Sequence, residues 1–271
     1  MELNDWLKLK SGTDVRGVAL EGVEGEHIDL TDEAVEGIVR ALVYMLAEKL
    51  GKTKLTIAVG HDSRLSAGRI CAAAAKAITE SGCDALLTGL SSTPSMFMLL
   101  QEKDAPADAS IMITASHLPY NKNGLKFFLP SGGFEGKDVT ALLTLAAEGK
   151  ALTGKGSVRE TDYIGRYSEN LVAFVREKTG EETPLAGKKI VVDAGNGAGG
   201  FYVEKVLKPL GADTAGSQFL DPDGRFPNHI PNPENKEAMR SVCEAVQRAH
   251  ADFGIIFDTD VDRAGAVDKN G

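Results

Sequence analysis

The stretch from 109 to 128 holds the first group with chemistry to offer. An apolar run, Ala109-Ser110-Ile111-Met112-Ile113, opens into Thr114-Ala115-Ser116-His117-Leu118-Pro119-Tyr120-Asn121-Lys122-Asn123-Gly124 and continues as Leu125-Lys126-Phe127-Phe128. Its β-favouring residues predict a strand that delivers Ser116 to its end, beside His117 and ahead of a polar loop. That is where α/β sheets place ligands. The same stretch also fits a plain surface loop whose Ser and Thr close local turns.

The second group is Asp258-Thr259-Asp260-Val261-Asp262-Arg263. A calcium loop would need glycine at its sixth position and a bidentate glutamate at its twelfth. Arg263 and Lys269 stand there, so calcium of that type is excluded. Alternation in an extended segment would direct Asp258, Asp260 and Asp262 the same way, onto one hard cation. Such a set leaves coordination positions for a phosphoryl oxygen, which suits Mg2+. A charged surface turn is the other reading, although three neighbouring like charges without an ion repel one another.

Arginines complete the picture. Arg16 sits in the glycine-bracketed turn Ser11-Gly12-Thr13-Asp14-Val15-Arg16-Gly17, where it is either a bidentate phosphate grip or a solvated surface residue. Arg64 closes Gly60-His61-Asp62-Ser63-Arg64, and Arg263 follows the acids. Combined, these residues describe a serine that carries phosphate while magnesium bridges it. No Ser-His-Asp triad is needed, because phosphoryl transfer depends on positioning and on neutralising the equatorial oxygens.

The elements that must position these groups alternate. Val35, Ile38, Val39, Leu42, Val43, Leu46 and Leu50 give a helix from Thr31 to Leu50, with Thr31 as N-cap and Gly51 past its end. A strand at 55–59 precedes Gly60–Arg64, an alanine-rich helix spans 66–80, and a strand runs from 84 to 88. Thr93-Pro94 opens another helix, with Thr93 as N-cap. This alternation predicts a parallel sheet with helical crossovers.

Glycine-rich runs near 132–133 and 149–157 place a border near 157. Beyond it the plan repeats. A helix from about 160 to 178 is followed by a strand at 188–193, a glycine loop, a helix to Leu210 and a strand near 214–219. A long loop, a helix at 234–250 and a strand at 252–257 complete the unit. Gly195-Asn196-Gly197-Ala198-Gly199-Gly200 has the spacing of a dinucleotide fingerprint, but Asp213 lies too near and precedes the second strand. A tight strand-to-helix turn is the better reading.

Composition sets outer bounds. With 42% apolar and 25% charged residues the chain is an ordinary globular protein. A net charge of -9 works against a nucleic-acid partner, though a local arginine cluster still admits anionic small substrates. Cys71, Cys83 and Cys243 have no metal-ligand spacing and read as reduced core residues. No targeting signal is evident at the N-terminus, and no window approaches the roughly 18 to 20 apolar residues of a membrane span, so the expected compartment is the cytoplasm.

Five motifs, in order, resemble those of the α-D-phosphohexomutase family, the phosphoglucomutases and phosphomannomutases. Ser11–Gly17 resembles the family's N-terminal arginine turn, Gly60–Arg64 its Gly-x-Asp-x-Arg turn, Thr114–Lys126 its phosphoserine loop and Asp258–Arg263 its magnesium loop. The run Asp223-Gly224-Arg225-Phe226-Pro227-Asn228-His229-Ile230-Pro231-Asn232-Pro233 is similar to its second-domain loop, with no catalytic role inferred. The resemblance implies two consecutive three-layer α/β/α domains with mixed, mostly parallel sheets, residues 1–157 and 158–271.

The resemblance also implies roles. Ser116 is the phosphorylated residue and, with Asp258, Asp260 and Asp262, holds Mg2+. Arg263 steadies the phosphoserine. Arg16, His117 and Lys126 face the transferred phosphoryl group, with Lys126 exchanging the proton of the sugar hydroxyl and His117 as second candidate. Arg16, Arg64, Asn123 and Arg263 contact substrate phosphate. The substrates are a hexose phosphate and a hexose bisphosphate, with transfer between C1 and C6. Leu118 departs from the asparagine usual after Ser-His, which bears on the loop's hydrogen bonding.

Family members have four domains, and this chain matches only the first two. Ala264–Val267 reads as a strand and Asn270-Gly271 as a hairpin turn, so the expectation is an N-terminal half, without its C-terminal domains, and with little or no full activity alone. Which hexose it uses is not encoded here. Two rival classes remain: a haloacid dehalogenase-like phosphatase with Asp258 as nucleophile, and a non-catalytic phosphate-binding module.

Overall fold

The structure is a computed structural model describing residues 2–271. Two compact units are present. The first comprises the chain up to His61, Ser66–Ser91 and Ser95–Thr161; the second comprises Asp62–Leu65, Ser92–Pro94 and Asp162–Gly271.

In chain order the elements up to Glu160 are α1 (Leu3–Lys8), β1 (Lys10–Ser11), β2 (Asp14–Val18), α2 (Asp32–Leu50), β3 (Thr56–His61), α3 (Ala67–Glu80), β4 (Asp84–Leu90), α4 (Thr93–Met98), β5 (Ala109–Ile113), β6 (Lys122–Leu129), β7 (Gly132–Gly133), α5 (Gly136–Ala147) and β8 (Val158–Glu160). Their strands form one sheet in the order β1-β2-β6-β5-β3-β4-β8, with β7 on β6. Strands β5, β3, β4 and β8 run parallel, as the alternating pattern predicts. Strand β6 returns antiparallel to β5 and carries β2 antiparallel on its other side. The reason is local: the Ser116 loop joins β5 directly to β6, and so short a link cannot make a parallel crossover.

Helix α2 forms as its sequence dictates. Thr31 Oγ1 accepts from the Ala34 N–H at 3.2 Å, and Gly51 ends the helix in the left-handed region at φ 63°. Val35, Ile38, Val39, Leu42, Val43 and Leu46 are buried, and the helix packs on α3 and α5. Leu50, expected on that face, is exposed because it lies in the last turn. Strand β8 pairs with β4, so the first unit extends past residue 157 to Thr161.

The second unit contains α6 (Tyr163–Thr179), β9 (Ile190–Asp193), α7 (Lys236–Ala249), β10 (Phe253–Phe257) and β11 (Ala264–Asp268). Its sheet has the order β11-β10-β9, with β10 parallel to β9 and antiparallel to β11. The strand expected near 214–219 reduces to single bridges at Asp213 and Gln218. Between them Gly216 has φ +101°, and Ser217 Oγ takes the Val192 N–H at 3.0 Å, so a side chain replaces the ladder. The helix expected to reach Leu210 is present as one continuous helical run of irregular winding, opening as a 3₁₀ turn at Ala198–Gly200 and widening to a π-helical turn at Val203–Leu207, with the Leu210 N–H still donating to the Val206 carbonyl at 3.2 Å.

The glycine run after β9 is a packing device. A Cβ on Gly197 would meet the Thr259 carbonyl oxygen at 2.7 Å, and one on Gly200 the Leu220 carbonyl oxygen at 2.2 Å. Close backbone approach accounts for both glycines, in keeping with a tight turn. The three cysteines are free thiols; Cys83 is buried, whereas Cys71 and Cys243 are only partly so. Among the described residues no helix is long and apolar enough to cross a membrane.

Candidate functional site

In the first unit, fully buried β5 delivers Thr114, Ala115 and Ser116 to the sheet's end. Ser116 is itself buried and has φ 51°, a left-handed conformation uncommon outside glycine. Three hydrogen bonds fix it there. The Ser116 N–H donates to Thr114 Oγ1 at 2.8 Å, the Thr114 N–H to the Gly124 carbonyl at 3.0 Å, and the Leu118 N–H to the Ala115 carbonyl at 3.1 Å. Such backbone, at about 1–3 kcal/mol, persists where the surroundings over-determine it, typically at functional sites. His117 is half-buried. Leu118 closes the turn through its backbone, a bond that does not depend on side-chain identity.

Two cations reach the same end of the sheet. Arg16 on β2 pairs with Gly124 of β6, and Lys126 lies two residues further along β6. Arg16 Nη1 donates to the Ala115 carbonyl oxygen at 3.4 Å, one residue before Ser116. Arg16 Nη2 lies 2.8 Å from Asp14 Oδ2, and Lys126 Nζ lies 3.4 Å from that same oxygen. One buried carboxylate thus clasps both cations. Gly124 makes the crowding possible, since a Cβ there would stand 2.3 Å from the Val15 carbonyl oxygen and 2.9 Å from Arg16 Cγ.

In the second unit the acidic residues lie on the turn between β10 and β11. Asp258, Asp260 and Asp262 present carboxylate oxygens all within 4.8 Å of one another. They converge through a tight turn, not the extended segment expected from alternation: Val261 has φ 66°, the Asp258 N–H donates to the Arg263 carbonyl at 3.1 Å, and the Val261 N–H to the Asp258 carbonyl at 3.3 Å. Asp258 and Asp260 are fully buried, and Asp262 reaches solvent.

The electrostatics of the turn call for positive charge. Burial first, then the charges on Asp260 and Asp262, push the Asp258 carboxyl up to about 8 against the opposing pull of Arg263. Arg263 answers part of that demand: its Nη2 and Nε donate to Asp258 Oδ2 at 2.8 and 3.1 Å, and its backbone N–H to Asp258 Oδ1 at 3.1 Å. Asp260 is held differently. Thr93 Oγ1 donates to its Oδ2 at 2.6 Å, while its buried Oδ1 has no hydrogen-bond partner among the described residues. Oxygen-only donors with one orphaned buried oxygen fit a small, hard dication.

Two expected phosphate contacts have other partners in this structure. Arg64 is buried, its Nε 3.4 Å from Asp62 Oδ2, and its guanidinium lies 5.3 Å from the centroid of the Phe226 ring. Gly224 packs so closely on 63–65 that a Cβ would meet the Leu65 N at 2.5 Å. Asn123 is also buried; its Nδ2 donates to Ser66 Oγ at 2.9 Å and its Oδ1 accepts from the Gly124 N–H at 2.8 Å. Asn123 thus braces the Gly124 backbone, and Arg64 lies against Asp62 and the Phe226 ring.

The profile described as phosphoglucomutase/phosphomannomutase, alpha/beta/alpha domain I, matches residues 8–151, and that of domain II matches residues 165–271. The chain belongs to the phosphoglucomutase/phosphomannomutase family. A phosphoglucomutase of Neisseria meningitidis serogroup B is 35% identical over 93% of the chain and 52% of its own length. A phosphomannomutase/phosphoglucomutase of Pseudomonas putida is 30% identical over 94% of the chain and 52% of its own length. A solved structure of a phosphoglucomutase/phosphomannomutase family protein from Burkholderia thailandensis superposes with TM-score 0.82 at 28% identity, covering 100% of this chain and 56% of that one. The chain therefore spans about half the length of the curated relatives it matches.

Three features of this phosphoglucomutase/phosphomannomutase family chain were beyond sequence reasoning. Asp14 lies within the Arg16 turn, yet nothing local marks it as the acid under two cations. Thr93 reads as a helix cap, while its hydroxyl is bound to a residue far along the chain. His229, in the loop given no role, is half of a buried pair: its Nε2 lies 2.9 Å from Asp193 Oδ1 and its Nδ1 3.0 Å from the Ile230 carbonyl oxygen. Asp193 also accepts from Gln218 Nε2 at 2.8 Å and Ser241 Oγ at 2.9 Å. The sequence signal for the pair is only an aspartate at a strand end.

Proposed function

We propose that the chain carries the phosphoserine and divalent-ion segments of an α-D-phosphohexomutase, an isomerase moving a phosphoryl group between C1 and C6 of a hexose phosphate. The observation that carries this reading is the arrangement at the end of β5: a buried serine in left-handed backbone, with Arg16 and Lys126 gathered beside its loop by one carboxylate. Family membership supports it. Because the relatives are about twice as long, complete isomerisation is proposed for proteins of that length and not for this chain alone.

Ser116 Oγ carries the phosphoryl group. On transfer, the bond between phosphorus and Oγ breaks as a sugar hydroxyl oxygen bonds to phosphorus, and the hydroxyl proton leaves to Lys126, with His117 the second candidate. Arg16 supplies positive charge to the equatorial oxygens, and Lys126 adds to it once its neutral amine has taken the hydroxyl proton. The bisphosphate, once turned over, returns its other phosphoryl group to Ser116 Oγ. Asp258, Asp260 and Asp262 would hold Mg2+, which when bound neutralises charge on phosphoryl oxygens. Arg263 places a fixed cation among those acids.

The dehalogenase-like reading is not favoured, because the relatives that the chain matches are named phosphoglucomutase and phosphomannomutase. Labelling with a hexose 1,6-bisphosphate carrying radioactive phosphate separates the readings, since an acyl phosphate is cleaved by hydroxylamine and a phosphoserine is not. The expected label resists hydroxylamine and disappears in Ser116→Ala. A label that hydroxylamine removes, or that Ser116→Ala retains, overturns the assignment.

A further inference from the structure

The two oxygens of Asp260 stand in different situations. Oδ2 accepts the Thr93 hydroxyl at 2.6 Å, and the Thr93 N–H donates to the Asp260 carbonyl at 2.8 Å, so one threonine grips both side chain and backbone. Oδ1 is buried with no hydrogen-bond partner among the described residues. A buried carboxylate oxygen left unsatisfied is costly, and a freely rotating side chain would turn to reduce the cost. Here it cannot turn, because Oδ2 is tied.

We infer that Thr93 is the positioning residue of the divalent-ion site, fixing the rotation of Asp260 so that Oδ1 is the oxygen presented to the cation. The inference deepens the proposed function and rests on its reading of the acidic turn. Thr93 acts through Asp260: its hydroxyl donates its one proton to Oδ2, which leaves Oδ1 as the oxygen of Asp260 with no hydrogen-bond partner among the described residues. Partners that orient a ligand in this way commonly change metal affinity by about 10- to 100-fold. The segment 92–94 belongs to the second unit, and its Thr93 bonds the acidic turn at Asp260.

The test is titration calorimetry of the whole chain with Mg2+ and, separately, Mn2+. Wild type is compared with Thr93→Val, which keeps the shape and loses the hydroxyl, Thr93→Ser, which keeps the hydroxyl, and Asp260→Asn. The expected result is an affinity lower by about 10- to 100-fold in Thr93→Val, near wild type in Thr93→Ser, and lost in Asp260→Asn. Unfolding midpoints in EDTA and in excess metal separate a general loss of stability from loss of the site: the valine variant, which leaves Asp260 Oδ2 unsatisfied, is expected below the serine variant in EDTA, and the gap is expected to widen when metal is added. Wild-type affinity in Thr93→Val, with Asp260→Asn still defective, overturns the role of Thr93 and leaves the metal site standing. Equal binding, or none, by wild type and Asp260→Asn overturns the metal site and the inference together.

Discussion

Asp14 and Lys126 meet through one carboxylate oxygen, 3.4 Å from the ammonium, and that oxygen also takes the Arg16 guanidinium at 2.8 Å. The two cations beside the Ser116 loop are therefore set by an acid that never faces a substrate in the proposed chemistry. Replacing Asp14 with Asn removes the charge and keeps the size. The expected outcome is slower phosphorylation of Ser116 by a hexose bisphosphate, by at least about tenfold, equivalent to ~1.4 kcal/mol of barrier, measured from single-turnover time courses. Asp14→Glu should recover part of the loss.

The acidic turn predicts stabilisation by its ion. Mg2+ at about 100 times its dissociation constant adds roughly 2.7 kcal/mol to a protein that binds it only when folded. Thermal unfolding in EDTA and in excess Mg2+ should differ by several degrees. Asp260→Asn should erase the difference while leaving the EDTA value as high as wild type or higher, since it removes a charge from a crowded acidic turn.

A pH signature attaches to His229. Burial alone would lower its basicity, but the hydrogen bond and charge of Asp193 outweigh it and hold the imidazole above its usual 6.5. A folded-state value above the unfolded one means the stabilisation is fully present below 6.5 and fades as pH rises through the folded value. Urea unfolding across pH 5 to 9 should show this loss on the alkaline side of 6.5. His229→Gln should lower stability at acidic pH and flatten the profile in that window.

Gly124 is the tightest point under the Ser116 loop. Alanine there would push its Cβ to 2.3 Å from the Val15 carbonyl oxygen of β2 and 2.9 Å from the Thr114 carbonyl oxygen just past β5, both backbone atoms. Overpacking of this kind costs about 1–3 kcal/mol. Urea denaturation of Gly124→Ala should show that loss, accompanied by slower phosphorylation at Ser116, because β2 and β6 cannot separate without moving Arg16.

What could be read from the sequence divides by range. Helix α2 was legible almost to the residue, since its apolar spacing, Thr31 cap and Gly51 stop are local. So was the delivery of Ser116 by β5, and the gathering of three aspartates. The route by which those aspartates gather was not legible, because a positive φ at Val261 is set by the hairpin between β10 and β11 and not by any turn residue there. The edge segment 214–219 failed as a strand because Gly216 and Ser217 divert it. The packing of Arg64 and Asn123 was not legible either. Their partners, Phe226 and Ser66, lie far off in sequence, beyond any local pattern. Asp14, Thr93 and His229 escaped notice for the same reason.

The central claim is that Ser116 is the residue that carries phosphate, and the most direct measurement is site-resolved mass spectrometry of the chain after incubation with a hexose bisphosphate and Mg2+. The account predicts a single added phosphate, on Ser116. A phosphate on any other residue, or no phosphate on folded protein, would contradict it.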